Sequence, residues 1–427
     1  MAAAALAVID AVTSRPEFAG ASFGVCAQQW GAAAEDTIIS IDADRLFVPA
    51  SNTKLFTICA AQQTFGSSHR LRTEFWLETD EGSRGPNHRL VLRGGSDPTL
   101  VFDDLVAAAR ALTLQTTAVV NIAVDVGRHA QSVEPSSWSF AYLEDTRPDG
   151  MPSVAIVDRN RIQLSVVPGV TPGTNATLEW QHSTDRDSIQ VLNEVTTVSE
   201  DQPTEIAMHR TVDFRGVVQV VLTGQVTVGA TSQLVELQAL DPNLRVAHLL
   251  AEAVQAEGIE TGQIDIVALP TSPPSASALL LHVVESPPLR EILRDCMQPS
   301  DNFLAEVLLQ LLAVEASADS SLATAGPVWD EAAPVTEGRQ DGQASTPTAP
   351  IVADIAVALG VEPSAIRLVD GSGVSRQNLV TPRAVMQLLQ AKRDDNEWHE
   401  FLTVRHLPLD RMSLFSDITT PPTSSMQ

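Results

Sequence analysis

The sequence predicts an α+β fold in which a helical unit, written in two pieces near the ends of the chain, carries a large, mainly β insertion. Three observations predict it. Apolar residues recur at helical spacing in Leu55, Phe56, Ile58, Cys59 and Ala60, and again in Phe303, Leu304, Val307, Leu308 and Leu311. Between these stretches, short alternating segments are separated by Gly, Pro and Asp turns. With 427 residues, 44% of them hydrophobic, the chain has room for more than one domain or for one domain with big insertions.

In chain order, "MAAAALAVIDAVTSRPEF" reads as an amphipathic helix; it lacks a basic leader and Asp10 interrupts it, so neither signal peptide nor anchor is expected. "ASFGVCAQQW" and "DTIISIDAD" are two strands that end at Phe47-Val48-Pro49. Pro49 blocks helix before it, Ser51 supplies a start, and Lys54 then sits at the edge of a core. This first piece spans residues 1–75 and the insertion 76–280, with strands such as "TEFWLETD", "HRLVLRGG", "RNRIQLSVVPG" and "FRGVVQVVLTGQVTVG". The insertion ends in the helix "DPNLRVAHLLAEAVQAEG", whose Leu244, Ala247, Leu250, Ala251 and Val254 follow helical spacing. The second piece, 281–410, holds "PPLREILRDCM", "SDNFLAEVLLQLLAVEA", and two helices flanking "LVDGSGVS". Residues 315–349, rich in Ala, Ser, Thr, Pro and acids, predict a long mobile loop, and 411–427 a disordered tail.

A net charge of −26 and a pI near 4.6 argue against a nucleic-acid partner and against docking on an anionic membrane. No run reaches the roughly 18 apolar residues of a membrane span. Cys26, Cys59 and Cys296 have no metal-ligand spacing, and the nine histidines include no H-x-x-x-H or H-E-x-x-H pattern. No metal and no cofactor is expected. The sequon at Asn175 fixes no compartment, and localisation stays open.

Two short patterns carry chemistry. Ser51-Asn-Thr-Lys54 puts a hydroxyl and an amine on one helix face, where Ser51 can be a helix cap, a nucleophile with Lys54 as its base, or both. Composition favours the second reading, because the chain has two lysines against twenty-five arginines. Arginine cannot shed its proton in a protein, whereas a buried lysine can. Ser300-Asp301-Asn302 opens an apolar helix with a hydroxyl and a carboxamide two residues apart, a pattern a plain N-terminal cap also produces.

Ser-x-x-Lys, Ser-Asp-Asn and Lys-Thr-Gly form the signature set of penicillin-binding proteins and class A β-lactamases, and two of the three occur here in order. With "RLFVPASNTKLFT", "LRGGSDPTL", Trp138 in "PSSWSF", "HVVESPPLREILRDCMQPSDNFLAEVLL" and "LVDGSGVSRQNLVTPRAV", the chain resembles the class C low-molecular-mass penicillin-binding proteins. These are the serine D-Ala-D-Ala carboxypeptidases and endopeptidases of peptidase family S13. The resemblance implies the penicillin-binding-protein/β-lactamase-like transpeptidase fold, a helical cluster against an antiparallel sheet. It further implies that Ser51 attacks the penultimate D-alanine carbonyl, Lys54 takes its proton, Ser300 relays it to the leaving amine and Asn302 holds the substrate amide. The Ser51 amide would form half of the oxyanion hole. Trp138, Ser375 and Arg376 become substrate-binding candidates, with Val374 beside them. The implied partners are peptidoglycan stem peptides ending in D-Ala-D-Ala, with β-lactams as covalent inhibitors. The family is extracytoplasmic. Some relatives place an acid soon after the tryptophan, where this chain has Ala141 and Tyr142, so their substrate preference does not carry over.

The third motif is absent. The lysine after Ser300-Asp301-Asn302 is Lys392, followed by Arg and Asp. The expectation is therefore a sheet lacking its C-terminal strands, and either a truncated product or a non-catalytic homologue that binds wall peptides, with the Pro/Ser/Thr-rich tail favouring truncation. An esterase or β-lactamase built on the same Ser-Lys pair is a further alternative, against which the large insertion argues.

Overall fold

The computed structural model describes residues 2–28, 37–82, 85–127, 152–212, 218–269, 273–275, 277–318 and 350–402. Trp138, the expected loop beyond residue 318 and the expected tail lie outside the described residues. Helices run α1 Ala2–Thr13, α2 Thr53–Phe65, α3 Phe102–Thr113, α4 Pro242–Ala256, α5 Leu289–Met297, α6 Asn302–Ala318, α7 Pro350–Ala358, α8 Pro382–Ala391 and α9 Asn396–Leu402. The first strands are β1 Val25–Gln28, β2 Thr37–Ile41, β3 Arg72–Gly82, β4 Gly85–Arg93 and β5 Val120–Asp125. The insertion continues through β6 Arg161–Val167, β7 Thr177–Trp180, β8 Gln190–Val198, β9 Glu205–Val212, β10 Val218–Thr227, β11 Gln233–Gln238 and β12 Thr261–Val267. β13 Leu279–Glu285 follows, with the two-residue β14 Ile366–Arg367 and β15 Leu379–Val380 closing the set.

α2 is buried on every side from Thr53 to Gln62, with its polar Thr53, Lys54, Thr57 and Gln62 enclosed beside the apolar residues. Its Leu55, Phe56 and Ile58 share one core with Leu289 and Leu293 of α5, Phe303, Val307 and Leu308 of α6, Val352 of α7, Leu388 of α8 and Trp398 of α9. Residues far apart in the chain thus close around one helix. α1, by contrast, leaves Leu6, Val8 and Val12 exposed, so its apolar side is not an amphipathic stripe turned into this core.

The inserted residues form two further cores. In one, a five-stranded sheet of order β12-β5-β4-β3-β13 packs Leu90, Leu92, Ile122 and Val124 against Leu105 and Leu112 of α3 and Leu250 and Val254 of α4. In the other, the sheets β11-β6-β7 and β8-β10-β9 enclose Ile162, Leu164, Val195, Val220 and Leu222.

Two features differ from the sequence expectation. The strand pattern does not foresee α3, although Leu105, Ala108, Ala109 and Leu112 mark its buried face and Asp104 accepts from the Val101 amide at 2.9 Å at its start. β5 pairs in parallel with both β4 and β12, and such strands, covered on both faces, read as plain apolar runs rather than as alternation. Where a sheet was expected beside the helical cluster, the described residues supply the antiparallel pair β1–β2 and the short β14–β15.

A buried ion pair braces the insertion. Arg245 of α4 grips Asp185 through two hydrogen bonds, Nε–Oδ1 at 2.6 Å and Nη2–Oδ2 at 3.0 Å, with the two residues 2% and 0% exposed. Removing one partner strands the other charge in the interior. Asp185→Ala should therefore cost about 3–5 kcal/mol, read as a lower urea midpoint than that of the parent protein.

Candidate active site

Ser51 lies in the short turn Ala50–Asn52, ahead of α2 rather than within it. Neither this turn nor α2 is capped by a side chain, so the capping reading of Ser51 does not hold. The turn is anchored from behind, where Phe47 exchanges backbone hydrogen bonds of 3.0 and 2.9 Å with Val380. Ala50 stands at φ 48°, a left-handed conformation that non-glycine residues avoid. Ser51 is exposed while Lys54, one turn on, is 0% exposed.

The second element is the turn between α5 and α6. Ser300 sits at φ 60°, its amide bonded to the Met297 carbonyl at 3.1 Å. The residue that caps α6 is Asp301, whose Oδ1 accepts from the Leu304 amide at 2.9 Å, and not Ser300. Ser300 is left exposed at the rim, and Asn302 begins the helix.

The third element is the loop Asp370–Ser375, locked from both sides. Asp370 accepts from the Gly373 and Ser375 amides at 2.8 and 2.6 Å and from Asn378 Nδ2 at 2.6 Å. Glu306 of α6 accepts from the Gly371 and Ser372 amides at 3.0 and 2.8 Å, and Thr57 of α2 donates to the Gly371 carbonyl at 2.7 Å. Gly373, at φ 87°, passes so close that a Cβ there would lie 1.8 Å from the Ala50 carbonyl oxygen. No other residue fits that contact.

All three elements meet at the Lys54 amine. Its Nζ lies 2.7 Å from Asn302 Oδ1, 2.7 Å from the Ser372 carbonyl oxygen and 3.3 Å from Ser51 Oγ. Burial pushes this amine below the ordinary lysine value, opposing the nearby Cys296, Glu306, Asp370 and Asp301, which pull it up. The two shorter contacts go to atoms that only accept, so they suit the two N–H bonds of a neutral amine. The remaining direction, where a lone pair would lie, faces the one hydroxyl.

Of the remaining candidates, Ser375 is buried and built into the loop, its Oγ accepting from the Gln377 amide at 3.2 Å, while Arg376 is exposed. Sequence reasoning passed over Glu306, whose signal is a single acid on an apolar helix, and Arg159, whose Nη2 reaches Asp301 Oδ2 at 2.5 Å. Among the described residues no group of three or more His, Cys, Asp or Glu stands where it could hold a metal ion, and no helix is long and apolar enough to cross a membrane.

Fold and geometry together define a serine–lysine site, seated at the head of a buried helix and completed by an Asn and a backbone carbonyl. The chain belongs to the D-Ala-D-Ala carboxypeptidase 3 (S13) family, which it matches over residues 5–332 and 338–409. It is 28% identical over 391 residues to a D-alanyl-D-alanine carboxypeptidase from Actinomadura sp. (strain R39), covering 89% of this chain and 66% of that protein. To a penicillin-sensitive carboxypeptidase A from Dictyostelium discoideum it is 23% identical over 385 residues, covering 85% and 68%. The matches thus span about two thirds of the length of these curated relatives. Penicillin binding protein 4 (dacB) from Haemophilus influenzae superposes with a TM-score of 0.65 at 18% identity, covering 88% of this chain and 76% of that one. The same protein complexed with a novel β-lactam gives 0.63 at 20% identity, covering 92% and 78%. The penicillin-binding-protein fold is therefore shared.

Burial, and after it the Asp370 charge, pushes the Glu306 carboxyl up to about 8. The folded state therefore holds this proton more tightly than the unfolded chain. Its contribution is complete below the ordinary glutamate range and is lost as pH rises through about 8. Urea denaturation at about pH 5, 7 and 9 should show wild type losing stability across that window. Glu306→Gln, neutral throughout and still able to accept both amides, should lose less.

Proposed function

We propose that this chain is a serine-type D-Ala-D-Ala carboxypeptidase, with endopeptidase action on the same bond chemistry, that works on peptidoglycan stem peptides through an acyl-enzyme on Ser51. One observation carries the reading: the buried Lys54 amine spends its two shorter contacts on acceptors and turns its third direction to the Ser51 hydroxyl. Ser51 Oγ bonds to the carbonyl carbon of the penultimate D-alanine as its proton passes to Lys54. The carbon–nitrogen bond then breaks, the proton moves through Ser300 to the leaving amine, and free D-alanine departs. Water adds to the acyl carbonyl as its proton passes to Lys54, the bond between Ser51 Oγ and the acyl carbon breaks, and Ser51 takes the proton back as the shortened peptide leaves. Asn302 fixes the amine and the substrate amide. The Ser51 amide lies in a first turn, where amides lack a helical acceptor and can meet the developing oxyanion. β-Lactams present the same carbonyl in a ring whose leaving group stays attached, and the names of the curated and solved relatives support such binding.

A second reading is favoured by one observation, the absence of Lys-Thr-Gly from the sequence. On this reading these 427 residues by themselves bind wall peptides and turn them over slowly or not at all. Losing one oxyanion-hole donor costs about 10²–10³ in rate.

Incubation with a fluorescent penicillin separates the two readings. The wild type should acquire a covalent label that survives denaturation, Ser51→Ala should acquire none, and D-alanine should be released from a diacyl tripeptide. A folded wild type that takes no label would leave the binding reading in its place.

A further inference from the structure

Asp158, Arg159 and Asn160, in the inserted region, all stand at positive φ: 51°, 57° and 56°. Three consecutive non-glycine residues in this conformation persist only where the surroundings impose it, and such strain collects at functional sites. Here the surroundings are a buried network. The Asp158 amide bonds to the Leu100 carbonyl at 3.0 Å, the Ala239 amide to the Asn160 carbonyl at 3.1 Å, and Asn160 Nδ2 to Ser153 Oγ at 2.9 Å. Arg245, already paired with Asp185, donates its Nη1 to the Val157 carbonyl at 3.2 Å.

This strained turn projects Arg159 across 142 residues of sequence onto Asp301, the middle of Ser300-Asp301-Asn302. Its guanidinium also lies over the Phe303 ring, 4.9 Å from the centroid. Arg159 therefore touches the residue on each side of Asn302. Asp301 is held at both oxygens, one by Arg159 and one by the Leu304 amide. Nothing in that arrangement touches Lys54 directly, but it holds the residues on both sides of Asn302.

We propose that Arg159 is a positioning residue. Through Asp301 and Phe303 it clamps the turn that carries Ser300 and Asn302, and so sets the Asn302–Lys54 contact on which proton transfer from Ser51 depends. The catalytic half thus takes part of its geometry from the insertion. This rests on the reading of Ser51 and Lys54 as the acylating pair.

The test is a double-mutant cycle on Arg159→Gln and Asp301→Asn, the latter keeping a residue type that caps helices. Labelling by fluorescent penicillin should slow about 10- to 100-fold in each single variant, since small misplacements near a reacting centre cost that much. The double variant should be no slower than the worse single, because both act through one contact. Arg159→Lys, which keeps the charge without the flat stacked face, should recover part of the rate. Wild-type labelling by Arg159→Gln, or single effects that multiply in the double variant, would overturn the proposal. If the wild type takes no label, it is the acylating reading that fails, and the clamp is read instead by NMR on lysine-labelled protein. The Lys54 side-chain signal should then shift alike in both single variants and no further in the double, while an unmoved signal in Arg159→Gln refutes the clamp.

Discussion

A neutral amine has two hydrogens and one lone pair, and the surroundings of Lys54 decide where each can go. Asn302 Oδ1 and the Ser372 carbonyl oxygen, both at 2.7 Å, can only accept; Ser51 Oγ, at 3.3 Å, can also donate. In its neutral form the amine would give its hydrogens to the first two and leave its lone pair for the third. On the proposed mechanism, a proton crossing from Ser51 would leave an ammonium with the same three contacts. Under that proposal the site would not need to rearrange as charge develops, the condition for preorganised electrostatic catalysis.

The rest of the helical half holds those three partners still. Phe47 pairs with Val380, which ties the segment before Ser51 to the strand after the Asp370–Ser375 loop. Gly373 lets that loop press against Ala50, and Glu306 holds its Gly371 and Ser372 amides, so the Ser372 carbonyl has no freedom to leave Lys54. Local strain sits at Ala50 and Ser300, each at positive φ beside a residue of the site.

Much of this was legible in the sequence, and the illegible part has a physical pattern. Ser51, Lys54 and Asn302, which the structure brings together, could be named because they are side-chain groups whose spacing repeats a known signature. The Ser372 carbonyl could not, since every residue has one and only folding chooses which is used. Helix starts were misassigned for a related reason. Ser51 and Ser300 have the right chemistry for caps, but α2 begins beyond the first and Asp301 takes the second position. α3 was hidden inside a strand-like region, where parallel pairing blurs the alternation that would have set it apart. Arg159 lay furthest from view: an Arg in a turn reads as a solvated charge, and nothing local announces a partner 142 residues away.

Whether burial leaves Lys54 free to accept a proton near neutral pH is the point on which the account turns. The two lysines make it directly measurable, with Lys392, paired to Asp395 at 3.0 Å, as an internal reference. A pH titration of 13C-labelled lysine side chains by NMR should show one resonance, absent in Lys54→Met, titrating below the ordinary lysine value of 10.5. If the Lys54 resonance titrates at or above that value, Lys54 is a fixed cation, and the proton of Ser51 must go elsewhere.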